Sequence, residues 1–261
     1  MTTLKERMDE YEIGSGLKLI KKLPIVIVIN GRSFQKLTSL FEKPFSQIFS
    51  EIMSAVIIRL AAEVDGNQLI YSFDDEIIIV CRNDQSNQTE QWYDGDIQKI
   101  VSTVSSIATI EFNKLSEMGE VKLVGDCIFS AKTFILPNIT EVINYLVSAQ
   151  QKAFQTAVSS ASFHELLKKY NSLFKVKEIL YNRTTSEKID ILKRECDISM
   201  DLYPSSFTKG TAAYRIQKII NNEIKNKITI DTELPIFTQD HDFLNNIFKL
   251  GKDIVRIKKE T

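Results

Sequence analysis

Three consecutive acidic residues interrupt an otherwise apolar stretch, "YSFDDEIIIV" at residues 71–80. Its aromatic and β-branched residues predict a buried strand over about 68–80. Asp74, Asp75 and Glu76 are the acids, and an unpaired charge is strongly unfavourable inside a protein. They therefore require a cation, a basic partner or a strand end that is open to water.

A second polar point ends the preceding predicted strand. "LPIVIVIN", residues 23–30, has the continuous apolar character of a strand buried on both faces, and it stops at Asn30 and Gly31. Carboxylates at neighbouring strand ends, beside a glycine whose carbonyl can approach a cation, hold Mg²⁺ in palm-type polymerase sites. The alternative is that the acids form a turn or pair with basic residues. The candidate bases are Arg32, Arg59 and Lys99.

A helix predicted over about 95–115 carries a candidate phosphate-binding group. Lys99 and Ser102, with Ser105 and Ser106, lie on one side of it near its N-terminus. Backbone N–H groups, hydroxyls and an ammonium group at such a position can bind phosphate. The more common alternative is a solvated helix face.

Composition restricts the class of protein. The chain has 261 residues with 33 basic and 34 acidic ones, so a nucleic-acid partner would need a local basic patch. Its three cysteines are far apart and form no CxxC pair, which indicates free thiols in a reducing compartment. No apolar run suits a signal peptide or a membrane span. We therefore expect a cytoplasmic protein with no membrane partner.

The order of elements predicts an α+β fold. A helix over 45–64 precedes the acidic strand, and a strand region over 121–136 and a helix over 139–158 follow the helix at 95–115. This order suits a mainly antiparallel sheet with helices packed on one face. Further helices are predicted near 161–171, 173–180, 186–195 and 211–226. We place a soft boundary between a domain at 1–158 and a mostly helical region at 159–261.

Several segments resemble the histidine-tRNA guanylyltransferase family, in the same order along the chain. "INGRSFQKLT" (29–38) is similar to IDGRSFHKFT, "FEKPFSQIF" (41–49) to F-KPFD, and "YSFDDEIIIV" to Y-QSDEISL. The remaining similar segments are "WYDGDIQKIVSTVSSIATIEFN" (92–113), "FSAKTFILP" (129–137), "EVINYLVSAQQ" (141–151), "KIDIL" (188–192) and "YPSSFTKGT" (203–211). Together they cover residues 25 to about 211.

The resemblance implies a palm-like (ferredoxin-like) catalytic domain with two Mg²⁺ ions and with GTP or ATP as substrates. The activity it implies is the addition of nucleotides to a tRNA 5′ end in the 3′-to-5′ direction, as tRNA(His) guanylylation or 5′-end repair. It also implies a homo-oligomer, a tetramer or a dimer, that binds tRNA across subunits. The region 159–261 would complete the fold and contribute oligomer and tRNA contacts.

The family's site residues carry over to this sequence position by position. Gly31 would offer a carbonyl to the metal, together with Asn30, Asp75 and Glu76, and the last two would be the catalytic acids. The residues expected to bind the nucleotide, its phosphates and the tRNA end are Lys43, Lys99 with Ser102, and Lys188.

The sequence departs from the family pattern mainly at the positions expected to bind metal and to take part in catalysis. Asn30 replaces the first metal-binding aspartate, Asp74 stands where the family has serine, and strand alternation predicts that Asp74 points away from Asp75. Other replaced positions are Val28, Ser130, Lys132, Ser148, Ala149, Lys152, Phe154 and Thr156. Two interpretations follow: a divergent active enzyme, or a non-catalytic module that binds tRNA or nucleotide or joins a mixed oligomer. A nucleotide-cyclase-like palm is disfavoured, because the similar segments extend beyond the palm.

Overall fold

A six-stranded antiparallel sheet, in the order β4–β1–β3–β2–β5–β6, organises the computed structural model. The structure describes residues 3–6, 8–9, 16–32, 34, 39–85, 88–118, 126–220 and 223–249. The strands are β1 (Ile25–Arg32), β2 (Asn67–Phe73), β3 (Glu76–Cys81), β4 (Ile128–Ile135), β5 (Thr211–Ile220) and β6 (Glu223–Asp231). The helices are α1 (Gln47–Glu63), α2 (Ile97–Met118), α3 (Ile139–Tyr170), α4 (Leu173–Leu180), α5 (Thr185–Cys196), α6 (Ser205–Lys209) and α7 (His241–Lys249).

The acidic stretch forms a hairpin, which corrects the prediction of one strand over 68–80. β2 ends at Phe73, β3 begins at Glu76, and these two residues pair across the turn. Asp74 has a φ of 48°, a left-handed conformation that aspartate tolerates better than most residues. The turn that we considered as an alternative is therefore the structure, because two polar residues in a row favour a reversal over a continuous buried strand.

The three predicted strand regions share one sheet, as expected. β1 pairs with β3 on one side and with β4 on the other. Of the predicted 121–136 strand region, residues 121–125 lie outside the described residues, and β4 begins at Ile128. β1 thus lies between two strands, β3 and β4, that come from distant parts of the chain.

Helices cover both faces of the sheet, whereas we predicted them on one. α1 and α2 pack on one face against Ile25, Ile27 and Ile29 of β1, as expected. The first half of α3 and α7 pack on the opposite face, where Val26 and Val28 are buried. The reason is the apolar run of β1 itself, since a strand with apolar side chains on both sides needs a cover on both sides.

Two features of the C-terminal region differ from the predictions. In the segment predicted as a helix over 211–226, the described residues belong to β5 and to the start of β6, and β5 pairs with the edge of β2 through residues Thr211–Tyr214. α3 is a single helix of 32 residues that runs across the predicted boundary at 158–159. α4 and α5 lie where helices were predicted, and α5 begins with a capping box between Thr184 and Glu187.

Within the described residues, no helix combines the length and the apolar character that spanning a membrane requires.

Candidate functional site

The tip of the β2–β3 hairpin lies beside the end of β1. The backbone N–H of Gly31 donates a hydrogen bond to the carbonyl of Asp75 at 3.1 Å. Asn30 is the register partner of Glu76 on β3. The antiparallel pairing therefore brings Asn30, Gly31, Asp75 and Glu76 to one end of the sheet, as the sequence predicted. We call this group, with Asp74, the hairpin site.

Gly31 has a packing role that the sequence did not indicate. A Cβ atom built on Gly31 would lie 2.1 Å from Cδ2 of Phe34, far inside van der Waals contact. The Phe34 ring is buried and meets the rings of Phe112 and Phe129 with centroids 5.2 and 5.1 Å away. The glycine is therefore required by the core beneath the hairpin site, whether or not its carbonyl also meets a ligand.

Lys152 on α3 is the basic partner of the acids. Its Nζ lies 2.6 Å from Oε2 of Glu76, whose side chain is only 13% exposed. The same Nζ lies 5.4 Å from the centroid of the Phe73 ring, within range of a cation–π contact. The sequence marks Lys152 only as a replaced position and does not indicate this role. The available signal was the need for a base near three acids, but sequence does not show which lysine is close.

Burial and the negative charge of neighbouring acids raise the pKa of the carboxyl groups of Asp74 and Asp75. Partial burial, followed by the negative charge of Asp74, raises the pKa of Asp75 to about 6. Surrounding protein atoms also raise the pKa of Asp74, and Lys43 and Lys152 oppose that rise. No described Lys or Arg forms an ion pair with Asp75. Asp75 is thus a carboxylate that additional positive charge would stabilise.

Lys43 and Asp74 line a pocket of about 120 Å³ next to the hairpin. Burial lowers the pKa of Lys43, and the charge of Asp74 opposes this effect. Aromatic rings form much of the wall, and hydroxyl groups from α1 and α3 add hydrogen-bonding capacity. The rings belong to Phe41, Phe45, Phe49, Phe73 and Phe207, and the hydroxyls include those of Ser46, Ser50, Ser54, Thr156 and Ser160. Apolar walls with a few polar groups suit a small ligand, and the charged residues of the lining are Lys43, Asp74 and Glu42.

Lys99 and Ser102 lie away from this site in a single chain. α2 reaches the hairpin end of the sheet near Asn113, which exchanges two hydrogen bonds with Cys127 just before β4. Lys99 precedes Asn113 by 14 residues, which is about 21 Å of helix. The hydroxyl of Ser102 donates to the carbonyl of Gln98 in its own helix at 2.7 Å. The structure therefore does not bring these two residues to the acids.

Lys188 lies closer, on the same side of α3 as Lys152. Its Nζ donates a hydrogen bond to the hydroxyl of Ser159 at 3.0 Å. Ser159 follows Lys152 by seven residues, which is nearly two full turns and about 10 Å along α3. Lys152 and Lys188 therefore form a short row of cations that leads away from the hairpin site.

The oxygen donors of the hairpin site do not fit two divalent cations. Glu76 is already bound by Lys152, and Asn30 supplies an amide oxygen without charge. Among the described residues, no three His, Cys, Asp or Glu side chains converge as a metal site would require. The remaining donors, chiefly the carboxylate of Asp75, suit at most one cation, because Mg²⁺ in proteins depends on anionic oxygen ligands and water.

A known protein family matches the part of the chain that holds the hairpin site. The family described as "Thg1: tRNAHis guanylyltransferase" matches residues 5–137, about half of the chain. The chain belongs to this family. The match includes β1, the β2–β3 hairpin and α2, and it ends just after β4. The family therefore accounts for the elements that build the hairpin site.

Two relatives from Arabidopsis thaliana resemble the chain over part of their length. tRNA(His) guanylyltransferase 1 is 24% identical over 195 residues, which are 73% of this chain and 34% of that protein. tRNA(His) guanylyltransferase 2 is 22% identical over 201 residues, 76% of this chain and 36% of that protein. The chain thus spans about a third of the length of these relatives.

Solved structures of Thg1-like proteins share the fold. A bacterial tRNA(His) guanylyltransferase (Thg1)-like protein in complex with ATP is 25% identical, with a TM-score of 0.81, and the match covers 95% of this chain and all of that one. tRNA(His) guanylyltransferase from Saccharomyces cerevisiae is 17% identical with a TM-score of 0.68, covering 84% of this chain and 95% of that one. The second likeness supports the fold alone.

Proposed function

We propose that this chain binds GTP or ATP at the hairpin site and adds a nucleotide to the 5′ end of a tRNA in the 3′-to-5′ direction. The observation that carries the proposal is the placement of Lys43 and Lys152 close to the acids, next to an aromatic pocket that Lys43 lines. Two ammonium groups beside a pocket can hold a triphosphate, and the aromatic walls suit a base. The family membership and the ATP complex of the bacterial Thg1-like protein support the same substrate class.

In the proposed reaction with a 5′-triphosphorylated tRNA, the 3′-hydroxyl of the bound nucleotide forms a bond to the 5′ α-phosphorus of the tRNA, the bond from that phosphorus to the β-phosphate breaks, and pyrophosphate leaves. The hydroxyl proton goes to Asp75, whose pKa of about 6 suits a general base near neutral pH. Glu76 acts beside it by holding Lys152 at the edge of the site. Lys43 and Lys152 offset the negative charge of the phosphates.

We include one Mg²⁺ ion in the proposal, with oxygen ligands from the Asp75 carboxylate, the Asn30 amide and the Gly31 carbonyl. When bound, the ion would neutralise phosphate charge. Glu76 belongs to such a site only if Lys152 releases it.

We also propose that tRNA contacts extend beyond the hairpin site. Lys188, which continues the row of cations along α3, would contact the tRNA end. Lys99 and Ser102 would meet phosphates of a tRNA held by a second copy, in a homotetramer or homodimer. The free cysteines are consistent with a reducing compartment such as the cytoplasm.

A non-catalytic binding module is the second candidate, as a separate tRNA- or nucleotide-binding protein or as a subunit of a mixed oligomer. Asn30 and the Lys152–Glu76 ion pair favour it, because both reduce the negative charge available for divalent cations. In this case the protein would retain nucleotide and tRNA binding without transfer.

Transfer of radiolabelled GTP to tRNA in Mg²⁺ tests the proposal, with tRNA(His) transcripts that carry a 5′-monophosphate or a 5′-triphosphate. We expect labelled tRNA with the wild type and a loss of about 100-fold with Asp75→Asn, the usual range for a general base. Asp94→Asn is the matched control, since Asp94 pairs with Lys18 and Lys21 away from the hairpin. GTP binding without transfer of label to any tRNA would contradict the transferase proposal and support the non-catalytic binding module. Absence of both nucleotide binding and tRNA binding would overturn both candidates.

A further inference from the structure

The ammonium group of Lys152 lies beside the acids of the hairpin site, where the phosphates of the proposed nucleotide would also contact it. The acids of the hairpin site are Asp74, Asp75 and Glu76, and the lysines beside them are Lys43 and Lys152. Three negative charges and two positive ones leave a net charge of −1. Without Lys152 the net charge would be −2, and a triphosphate would meet stronger repulsion.

Lys152 also keeps hydrogen-bonding capacity for a ligand. An ammonium group has three N–H donors, and within the described residues Lys152 uses one of them, for Glu76. Its side chain is 58% exposed, while that of Glu76 is 13% exposed. Glu76 and the Phe73 ring therefore hold the ammonium group at the site while leaving one side of it open.

From these contacts we infer that Lys152 replaces one divalent cation at the hairpin site, so that this chain binds a nucleoside triphosphate in the absence of divalent ions. The inference rests on the proposed nucleotide site and specifies how that site neutralises phosphate charge. Nucleotide affinity should then depend only weakly on Mg²⁺. Loss of the Lys152 charge should make it strongly dependent on Mg²⁺.

Equilibrium binding of radiolabelled GTP, measured in EDTA and again in Mg²⁺, tests the inference. For the wild type we expect the two dissociation constants to agree within about fivefold, since the lysine already supplies part of the charge that Mg²⁺ would bring. Lys152→Met should weaken binding in EDTA by about tenfold or more, the value of a charge-assisted hydrogen bond, and Mg²⁺ should restore most of it. Lys152→Arg, which keeps the positive charge, should bind GTP in EDTA more tightly than Lys152→Met does.

α3 offers a matched control in Lys168→Met. Lys168 pairs with Glu165 at 2.9 Å, and the two side chains are 60% and 13% exposed, nearly the same as for Lys152 and Glu76. Melting temperatures of both variants show whether each is folded. If Lys152→Met is poorly folded, the two wild-type dissociation constants, in EDTA and in Mg²⁺, still decide the inference.

The outcomes separate the inference from the proposed function. Wild-type binding in Mg²⁺ but not in EDTA would overturn the inference and leave the proposed function intact. A Lys152→Met variant that melts at a lower temperature but binds GTP in EDTA as the wild type does would also overturn it, since Lys152 would then only stabilise Glu76. Absence of GTP binding in both conditions would overturn the proposed function as well.

Discussion

Asn30 and Lys152 set the charge of the hairpin site between them. Asn30 places an uncharged amide beside Glu76, where the family pattern has an acid. Lys152 adds a positive charge next to the Glu76 carboxylate. Both residues lower the negative charge around Asp75, so the site depends less on a metal ion than a site with three or four unpaired acids would.

Asn30→Asp should make the stability of the protein depend on divalent ions. A new carboxylate beside Glu76 and Asp75 adds repulsion, so we expect a lower melting temperature in EDTA and a clear rise when Mg²⁺ is added. The control is Asn144→Asp, which places a carboxylate next to Glu141 on the exposed side of α3. Equal melting temperatures of Asn30→Asp in EDTA and Mg²⁺ would show that the site does not hold a divalent ion even with the added acid.

Gly31→Ala tests whether the glycine is required for packing. Because the new Cβ would overlap the Phe34 ring, we expect the free energy of unfolding to fall by about 1–3 kcal/mol, the usual cost of overpacking. Urea denaturation measures this change. The double variant Gly31→Ala with Phe34→Leu should recover part of the loss. Additive effects of the two substitutions would rule out this packing explanation.

Among the helices and strands, sequence patterns predicted most helices and the strands around the site. The predictions were wrong where pairing between strands far apart in the sequence decides the structure. The convergence of Asn30 and Gly31 with Asp75 and Glu76 was predictable, because strand ends and polar residues are local signals. The Lys152–Glu76 pair was not, since the partners are 76 residues apart. The local propensity of the segment at 211–226 does not distinguish a helix from a strand, so the helix prediction was wrong there. Pairing with the edge of β2, a contact that local sequence does not show, favours the strand β5.

The packing of α5 on α3 depends on Glu195, and this dependence should vary with pH. Glu195 accepts hydrogen bonds from the Tyr170 hydroxyl at 2.6 Å, from Lys169 at 3.1 Å and from Arg194 at 3.3 Å. These donors, Tyr170 first, lower the pKa of Glu195 from 4.5 to about 2. Because the pKa is lower in the folded state, the stabilisation is present above about pH 4.5 and is lost as the pH falls towards 2.

Glu195→Gln should therefore melt at a lower temperature than the wild type at pH 7, and the difference should shrink towards pH 3. Thermal melting across this pH range measures it. Glu178→Gln, which changes an exposed acid on α4, is the control. A difference between wild type and Glu195→Gln that stays constant down to pH 3 would contradict this assignment.

At the scale of the whole molecule, α3 connects the hairpin site to the C-terminal region. Its first half packs on the sheet and carries Lys152, and its second half packs on α4 and α5. A second cavity, of about 670 Å³, lies between α3, α6 and the segment after β6. Phe154, Lys209 and Ile236 are among its lining residues. It is larger than the hairpin pocket but holds none of the residues that the sequence or the family indicated for the nucleotide.

A crystal structure of the protein with GTP would show which of the two distinct cavities holds the nucleotide. We predict that the triphosphate lies within hydrogen-bonding distance of Lys43 and Lys152, with the base against the aromatic wall of the hairpin pocket. A nucleotide bound instead in the larger cavity, beside Phe154 and Ile236, with Lys43 and Lys152 unchanged, would contradict it.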